Sequence, residues 1–189
     1  MSLSYAILSS LIEAPHSGYD LSKVFSESVG FFWHASQQQI YRELGKLETQ
    51  DLIVSEIIPR EGRLNKKIYS ITELGKQHLV EWMRKPSEPD VIREDILVKI
   101  FSGSLVAINV LIEDVERRRR IHLDKLSKYR EIEQKHFSQL ETLTHPEKLK
   151  HIVLKAGIHC ESEWIDWCNE ALEMLKQSQM DDIVTCTIK

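Results

Sequence analysis

The sequence predicts a mostly α fold that carries a small β-hairpin wing, with a long antiparallel helical hairpin in its second half. Three observations lead there. The 189 residues include only 7 Gly and 5 Pro, too few breaks for a turn-rich all-β chain. Apolar residues recur at steps of three and four along most of the length. The step changes to two only once, between Leu52 and Ile71, where Ile and Val are concentrated.

The elements follow in order. Leu3–Glu13 places Ile7, Leu8, Leu11 and Ile12 at helical spacing and stops before Pro15. Ser17 and Asp20 have the spacing of a capping box, in which an oxygen acceptor is followed three residues on by an acid. They open a helix that turns Leu21, Val24 and Phe25 inward and ends near Ser28–Gly30. Ser36 and Gln39 form a second capping box, at the head of a helix that runs to about Gln50. Leu52–Ile58 and Lys66–Ile71 are strands joined by Pro59–Asn65, a loop that contains Gly62. Thr72 caps a helix over Glu73–Arg84 with Leu74, Leu79, Trp82 and Met83 as its apolar face.

Two prolines within Lys85–Pro89 end this module and set the predicted domains: 1–85, 86–178, and a disordered tail at 179–189, where no helical period survives past Met180. Softer breaks fall at Ser102–Ser104 and Leu143–Pro146. Between them a helix of roughly Asn109–Leu140 carries a partly polar stripe of Val115, His122, Leu126, Tyr129, Glu133, Phe137 and Leu140. Thr144 and Glu147 cap the next helix. Its stripe of Leu149, Val153, Ala156, Cys160, Trp164, Trp167, Ala171, Met174 and Ser178 has coiled-coil-like steps. Two long helices joined by a short turn leave one side of each unpaired, so a second copy is the natural completion. Leu149, Val153, Ala156, Cys160, Trp164, Trp167 and Ala171 are therefore the expected dimer interface.

Three short helices followed by a two-stranded hairpin make a winged helix-turn-helix. In the third helix, Ile40, Leu44 and Leu47 share one stripe at about 100° per residue and must face the core. The opposite face holds Gln38, Gln39, Arg42, Gly45, Lys46 and Thr49, with Tyr41 at its rim and no large aliphatic residue. Gln pairs with adenine, and Arg or Lys with guanine and phosphate. The helix start at Ser36, Gln37 and Gln38 points free backbone N–H groups at a phosphate. Net charge is −4, but residues 1–85 balance ten basic against ten acidic residues, and Pro59–Lys67 alone carries +3. Arg60, Arg63, Lys66 and Lys67 are the expected contacts of the wing with the backbone or minor groove.

The stretches Ser17-Gly18-Tyr19-Asp20-Leu21, Trp33 to Leu44 and Lys67 to Gly75 resemble the signature of PadR-type transcriptional regulators. Gly30-Phe31-Phe32-Trp33 and the long helical tail resemble the virulence-activator, AphA-type, branch. The resemblance implies a homodimer that binds inverted-repeat promoter DNA as a transcriptional regulator, with its C-terminal helices dimerising. The family's DNA-facing helix positions map onto Gln37, Gln38, Tyr41, Arg42 and Lys46, and its basic wing onto Arg60–Lys67. Many members carry a Gly-Arg-Pro turn in the wing, where this chain has Gly62-Arg63-Leu64-Asn65. Some bind phenolic or other planar aromatic ligands, which leaves room for a small aromatic effector or a co-regulator protein as further partners.

The remaining features fit plainer roles. Arg117–Arg120 has acids at helical spacing in Glu113, Asp114, Glu116 and Asp124, as a solvated helix surface would. Phe31, Phe32 and Trp33 suit packing between helices better than a ligand pocket. His151, His159, Cys160 and Cys168 lack metal-ligand spacing, so no metal site or cofactor is expected. No nucleophile motif or glycine-rich phosphate loop is present, so no catalytic residue and no enzyme is expected. Three Cys late in the chain do not suit a disulfide framework, no apolar run reaches ~18 residues, and no basic flank precedes the first apolar segment. A cytoplasmic protein away from the membrane is expected. The alternative function is a winged-helix protein-interaction module or co-regulator without direct DNA specificity. The third helix favours DNA, because its outer face lacks an aromatic or Leu anchor of the kind that dominates protein interfaces.

Overall fold

The computed structural model describes residues 3–27, 35–59, 65–89 and 91–187. The chain divides into two compact units, Met1–Pro89 and Asp90–Lys189.

The first unit contains α1 (Leu3–Glu13), β1 (His16–Ser17), α2 (Gly18–Glu27), α3 (Gln37–Thr49), β2 (Ile53–Ile58), β3 (Lys66–Ile71) and α4 (Glu73–Met83). Its core joins Ile7, Leu8 and Leu11 of α1 to Leu21 and Phe25 of α2 and to Ile40, Leu44 and Leu47 of α3. Leu52, Ile53, Tyr69 and Leu79 close it from the sheet and α4. The hairpin pairs Ile53 with Ile71 and Ile58 with Lys66. β1 adds a third antiparallel strand by pairing His16 with Tyr69 and Ser17 with Ile68, for a sheet order of β1-β3-β2. Two residues are too few to show a period, which is why the sequence does not announce β1.

Two apolar faces are rotated from expectation. Ile12 is exposed, one step round from Leu8 and Leu11. In α4 the inward stripe is Gly75, Leu79 and Trp82, while Leu74 and Met83 point outward. Gly75 causes this. A Cβ there would lie 2.1 Å from the Leu52 carbonyl oxygen, so α4 approaches the α3–β2 corner through its bare backbone. The corner turns at Asp51, whose φ is 58°, a conformation that Asp tolerates better than most residues. Thr72 ties the two together: its hydroxyl donates to the Asp51 carbonyl at 2.7 Å and accepts the Gly75 N–H at 3.0 Å. Trp82 then stacks on Tyr5 with centroids 4.4 Å apart.

The second unit contains α5 (Asp95–Phe101), a 3-10 turn at Gly103–Leu105, α6 (Ile108–His136), a 3-10 turn at Leu140–Thr142, and α7 (His145–Thr187). α5 is almost uniformly apolar and has no readable period; its Ile96 packs with Val115, Cys168 and Leu172. α6 stops short of the expected Leu140. Phe137 leaves the helix and stacks on His151 at 5.0 Å, and Leu140 stands exposed. α7 continues to Thr187, through most of the segment expected to be a disordered tail, because extending a helix is far easier than nucleating one.

α6 turns Leu111, Val115, His122, Leu126 and Tyr129 inward. α7 meets them with Leu154, Ile158, Glu161, Ile165, Cys168 and Leu172, a second stripe that also steps by three and four. In the middle of the hairpin the His122 imidazole bonds to the Glu161 carboxylate and stacks on Trp164 at 5.6 Å. The Arg118 guanidinium lies 4.4 Å from the Trp164 ring and bonds to Glu94 at 2.6 Å. Buried polar groups such as His122 and Glu161 need such partners.

Gly75→Ala is expected to lower the unfolding free energy by about 1–3 kcal/mol, because the new methyl collides with backbone. Gly45→Ala, in α3 with nothing within 4 Å of its new methyl, is expected to raise it by about 0.5–1 kcal/mol. Urea denaturation of the two variants checks the opposite signs.

Candidate nucleic-acid interface

The third helix presents itself through three constraints. Its start is fixed by the full capping box: Gln39 N–H donates to the Ser36 hydroxyl at 3.2 Å, and Ser36 N–H donates to the Gln39 side chain at 2.8 Å. Its inner stripe of Ile40, Leu44 and Leu47 is fully buried. Ser36, Gln37, Gln38, Tyr41, Arg42, Gly45, Lys46 and Thr49 are consequently all exposed, on the end and the face that sequence spacing assigns to them. Capping engages the Gln39 side chain, which leaves Gln37, Gln38 and Arg42 as the long polar groups of the first two turns. The Tyr41 ring lies over the head of α2, so close that a Cβ on Gly18 would sit 2.5 Å from it. Lys46 pairs with Glu43 one turn back at 3.0 Å, and the largely covered Glu43 also accepts the Ser4 hydroxyl of α1.

The wing lysines are placed differently. Lys66 contacts Asp20 at 2.6 Å and Lys67 contacts Glu48 at 2.8 Å, both pairs joining β3 to a helix. Glu48 also accepts the Ser55 hydroxyl of β2, and the Lys67 ammonium lies 5.1 Å from the Tyr69 ring centre. Asp20 accepts the Ser17 hydroxyl at 2.8 Å in the capping arrangement expected for α2. Nothing in the spacing of Asp20 or Glu48 marks them as partners of the wing, because ion pairs between distant segments leave no local signature. Arg60 and Arg63 lie outside the described residues, as do Phe31, Phe32 and Trp33.

In the second unit, Leu149, Val153, Ala156 and Cys160 of the expected interface stripe are exposed. Trp164, Trp167 and Ala171 are half-buried against Ile96, Val115, Cys168 and Leu172 of the same chain. The basic run divides. Arg117 pairs with Asp114 one turn back at 3.1 Å, as expected, whereas Arg118 turns inward to Glu94 and Trp164 rather than forming a solvated surface. Burial pushes the Cys160 and Cys168 thiols upward, away from the range of reactive thiolates. Among the described residues no three His, Cys, Asp or Glu side chains gather as metal ligands, and no helix is long and apolar enough to cross a membrane.

The Lys66 ammonium, with the Ser17 hydroxyl and amide, outweighs burial and holds the Asp20 carboxyl at about 2, below its ordinary 3.8. A depressed carboxyl contributes stability that is present above its unfolded value and is lost as pH falls through the folded one. Asp20→Asn is therefore expected to lower the urea midpoint at pH 7, with the gap to the parent protein closing as pH falls from 3.8 to about 2. A gap independent of pH would show that the pair contributes nothing.

Residues 7–81 match the model of the PadR-like family of transcriptional regulators, and residues 92–176 match that of the virulence activator alpha C-terminal domain. A probable transcriptional regulator of Mycobacterium tuberculosis is 33% identical over 189 residues, covering 95% of this chain and 100% of its own. The negative transcriptional regulator PadR of Bacillus subtilis is 30% identical over 179 residues, covering 92% and 97%. The solved structure of the Vibrio cholerae virulence activator AphA aligns with a TM-score of 0.77 at 29% identity, covering 94% of this chain and 99% of that one. Bacillus subtilis PadR in complex with operator DNA aligns with a TM-score of 0.78 at 28% identity, covering 92% and 98%. The same protein in complex with p-coumaric acid aligns at 0.72 and 28%, with equal coverage. A winged unit and a long helical unit, each matched by its own family model and together spanned by full-length relatives, make this chain a member of the PadR-like family of transcriptional regulators.

Proposed function

We propose that the protein is a sequence-specific DNA-binding regulator that acts as a homodimer on inverted-repeat promoter sites. Helix α3 enters the major groove, and the β2–β3 wing lies along the backbone or the adjacent minor groove. The observation that carries this reading is the division of α3, three buried aliphatic residues behind and Gln37, Gln38, Arg42, Gly45 and Lys46 in front. Gly45 is as important as its polar neighbours, since open space above it lets a base edge or phosphate come close. The complex of Bacillus subtilis PadR with operator DNA supports duplex DNA as the partner.

Homodimerisation is supported by what the second unit leaves uncovered. Leu149, Ile152 and Val153 of α7 are exposed, and so are Val98, Leu105 and Phe101, the last at 94%. Apolar surface on this scale is what a partner subunit removes from water. With Trp164, Trp167 and Ala171 already half-covered within the chain, the second copy would meet Leu149, Val153, Ala156 and Cys160 first. A two-fold protein then reads two half-sites about one helical turn apart. In this reading the protein is no enzyme and works in the cytoplasm. A small aromatic effector belongs to the reading too, supported by the complex of Bacillus subtilis PadR with p-coumaric acid.

Arg42→Ala is expected to weaken binding to a promoter site by ~1–3 kcal/mol while changing affinity for unrelated DNA little. Gel shift on the gene's own upstream region against random duplex measures this, and no preference between them would refute the reading. Leu149→Glu with Val153→Glu is expected to shift the protein from dimer to monomer in sedimentation equilibrium.

A further inference from the structure

We infer that Glu48 is a positioning residue that staples α3 to both strands of the wing, and that Lys66 and Lys67 fasten the wing to the helices rather than neutralise DNA phosphates. The inference deepens the DNA-binding reading and rests on it for its nucleic-acid arm.

Glu48 lies in the last turn of α3, and its two carboxylate oxygens go to different strands. Oε1 accepts the Ser55 hydroxyl from β2, and Oε2 meets the Lys67 ammonium of β3 at 2.8 Å. Ser55 pairs with Tyr69 in the hairpin, and Ile57 pairs with Lys67, so one side chain spans the ladder beside the recognition helix. Lys67 is further settled above the Tyr69 ring. The second clamp is built on a cap. Asp20 holds Lys66 at 2.6 Å while its carboxylate also receives the Ser17 hydroxyl. Lys66 cannot leave for a phosphate without exposing the capping carboxylate of α2.

Electrostatics set the direction. A lysine that left Glu48 for DNA would exchange one anion for another. The abandoned carboxylate would then face the polyanion, and like charges at that range repel. Lys46 differs in where its partner sits: Glu43, whose other oxygen accepts the Ser4 hydroxyl of α1, lies within α3 itself and ties Lys46 to neither strand of the wing. Glu48 therefore fixes how the wing sits beside α3, and Arg42 and Lys46 on the outward face are the cations left to meet DNA.

Salt-dependent DNA binding of the full-length protein tests this, with Glu48→Ala, Glu48→Gln and Lys67→Ala beside the parent chain. A lost clamp weakens binding about five-fold at every salt concentration, with an unchanged slope of log K against log [salt], in Glu48→Ala and Lys67→Ala. Glu48→Gln falls between the parent and Glu48→Ala, since its amide oxygen can accept from Lys67 while its NH2 donates to the Ser55 hydroxyl oxygen, and the charge of the pair is lost. A phosphate contact by Lys67 would instead lower the slope by about 0.9 in Lys67→Ala and make Glu48→Ala bind more tightly. Either result would overturn the inference. Amide hydrogen exchange without DNA provides the independent arm: β2 and β3 should exchange faster in Glu48→Ala while α1 and α4 keep their protection. Equal exchange in the wing would also overturn it. Absence of DNA binding by the parent chain would defeat the functional reading alone, and exchange would still decide the role of Glu48.

Discussion

Burial of Ile40, Leu44 and Leu47 beneath α1, α2 and the sheet constrains everything else in the winged unit. A helix has one rotational setting that hides such a stripe, so hiding it dictates which side chains are left outside. Each of these residues contributes about 1.5–3 kcal/mol through removal of apolar surface from water, far more than any polar contact on the opposite face. The outward residues are thus presented by forces they do not share. Arg42 and Gln38 owe their orientation to the oil-like side of the same helix, and they are free to be chosen for what they touch.

A comparable division of labour runs through the helical unit. Leu154, Ile158, Ile165, Cys168 and Leu172 close α7 onto α6, while the buried His122–Glu161 pair interrupts the apolar seam. Buried polar layers of this kind contribute little net stability, because desolvation offsets most of the attraction. They do penalise misalignment heavily: a register shift by one turn would leave His122 and Glu161 apart and unpaired. Gly157 adds a steric mark to the same seam, since a Cβ there would stand 3.1 Å from the Tyr129 ring.

The helices and hairpin of the winged unit, their caps and the inner stripe of α3 were legible because each depends on residues close together in sequence. Ser36 with Gln39 and Thr144 with Glu147 form the bonds their spacing implies. What escaped depends on partners far apart. The rotation of α4 is set by one glycine against a carbonyl of another element, and β1 exists only because β3 is there to receive it. α7 carries two overlapping stripes, and periodicity could not say which of them its own chain would take. Asp20 and Glu48 read as ordinary surface acids until the fold brings Lys66 and Lys67 beside them. The face of α3 was visible in the sequence, whereas the fastening of the wing was not.

Gly45 stands in the middle of the outward face with nothing within 4 Å of where a side chain would begin. Substitution there disturbs no packed neighbour, and every larger residue except proline also improves the intrinsic stability of the helix. On the DNA-binding reading proposed above, a side chain at this position would change what the outward face offers a duplex and leave the scaffold as it is.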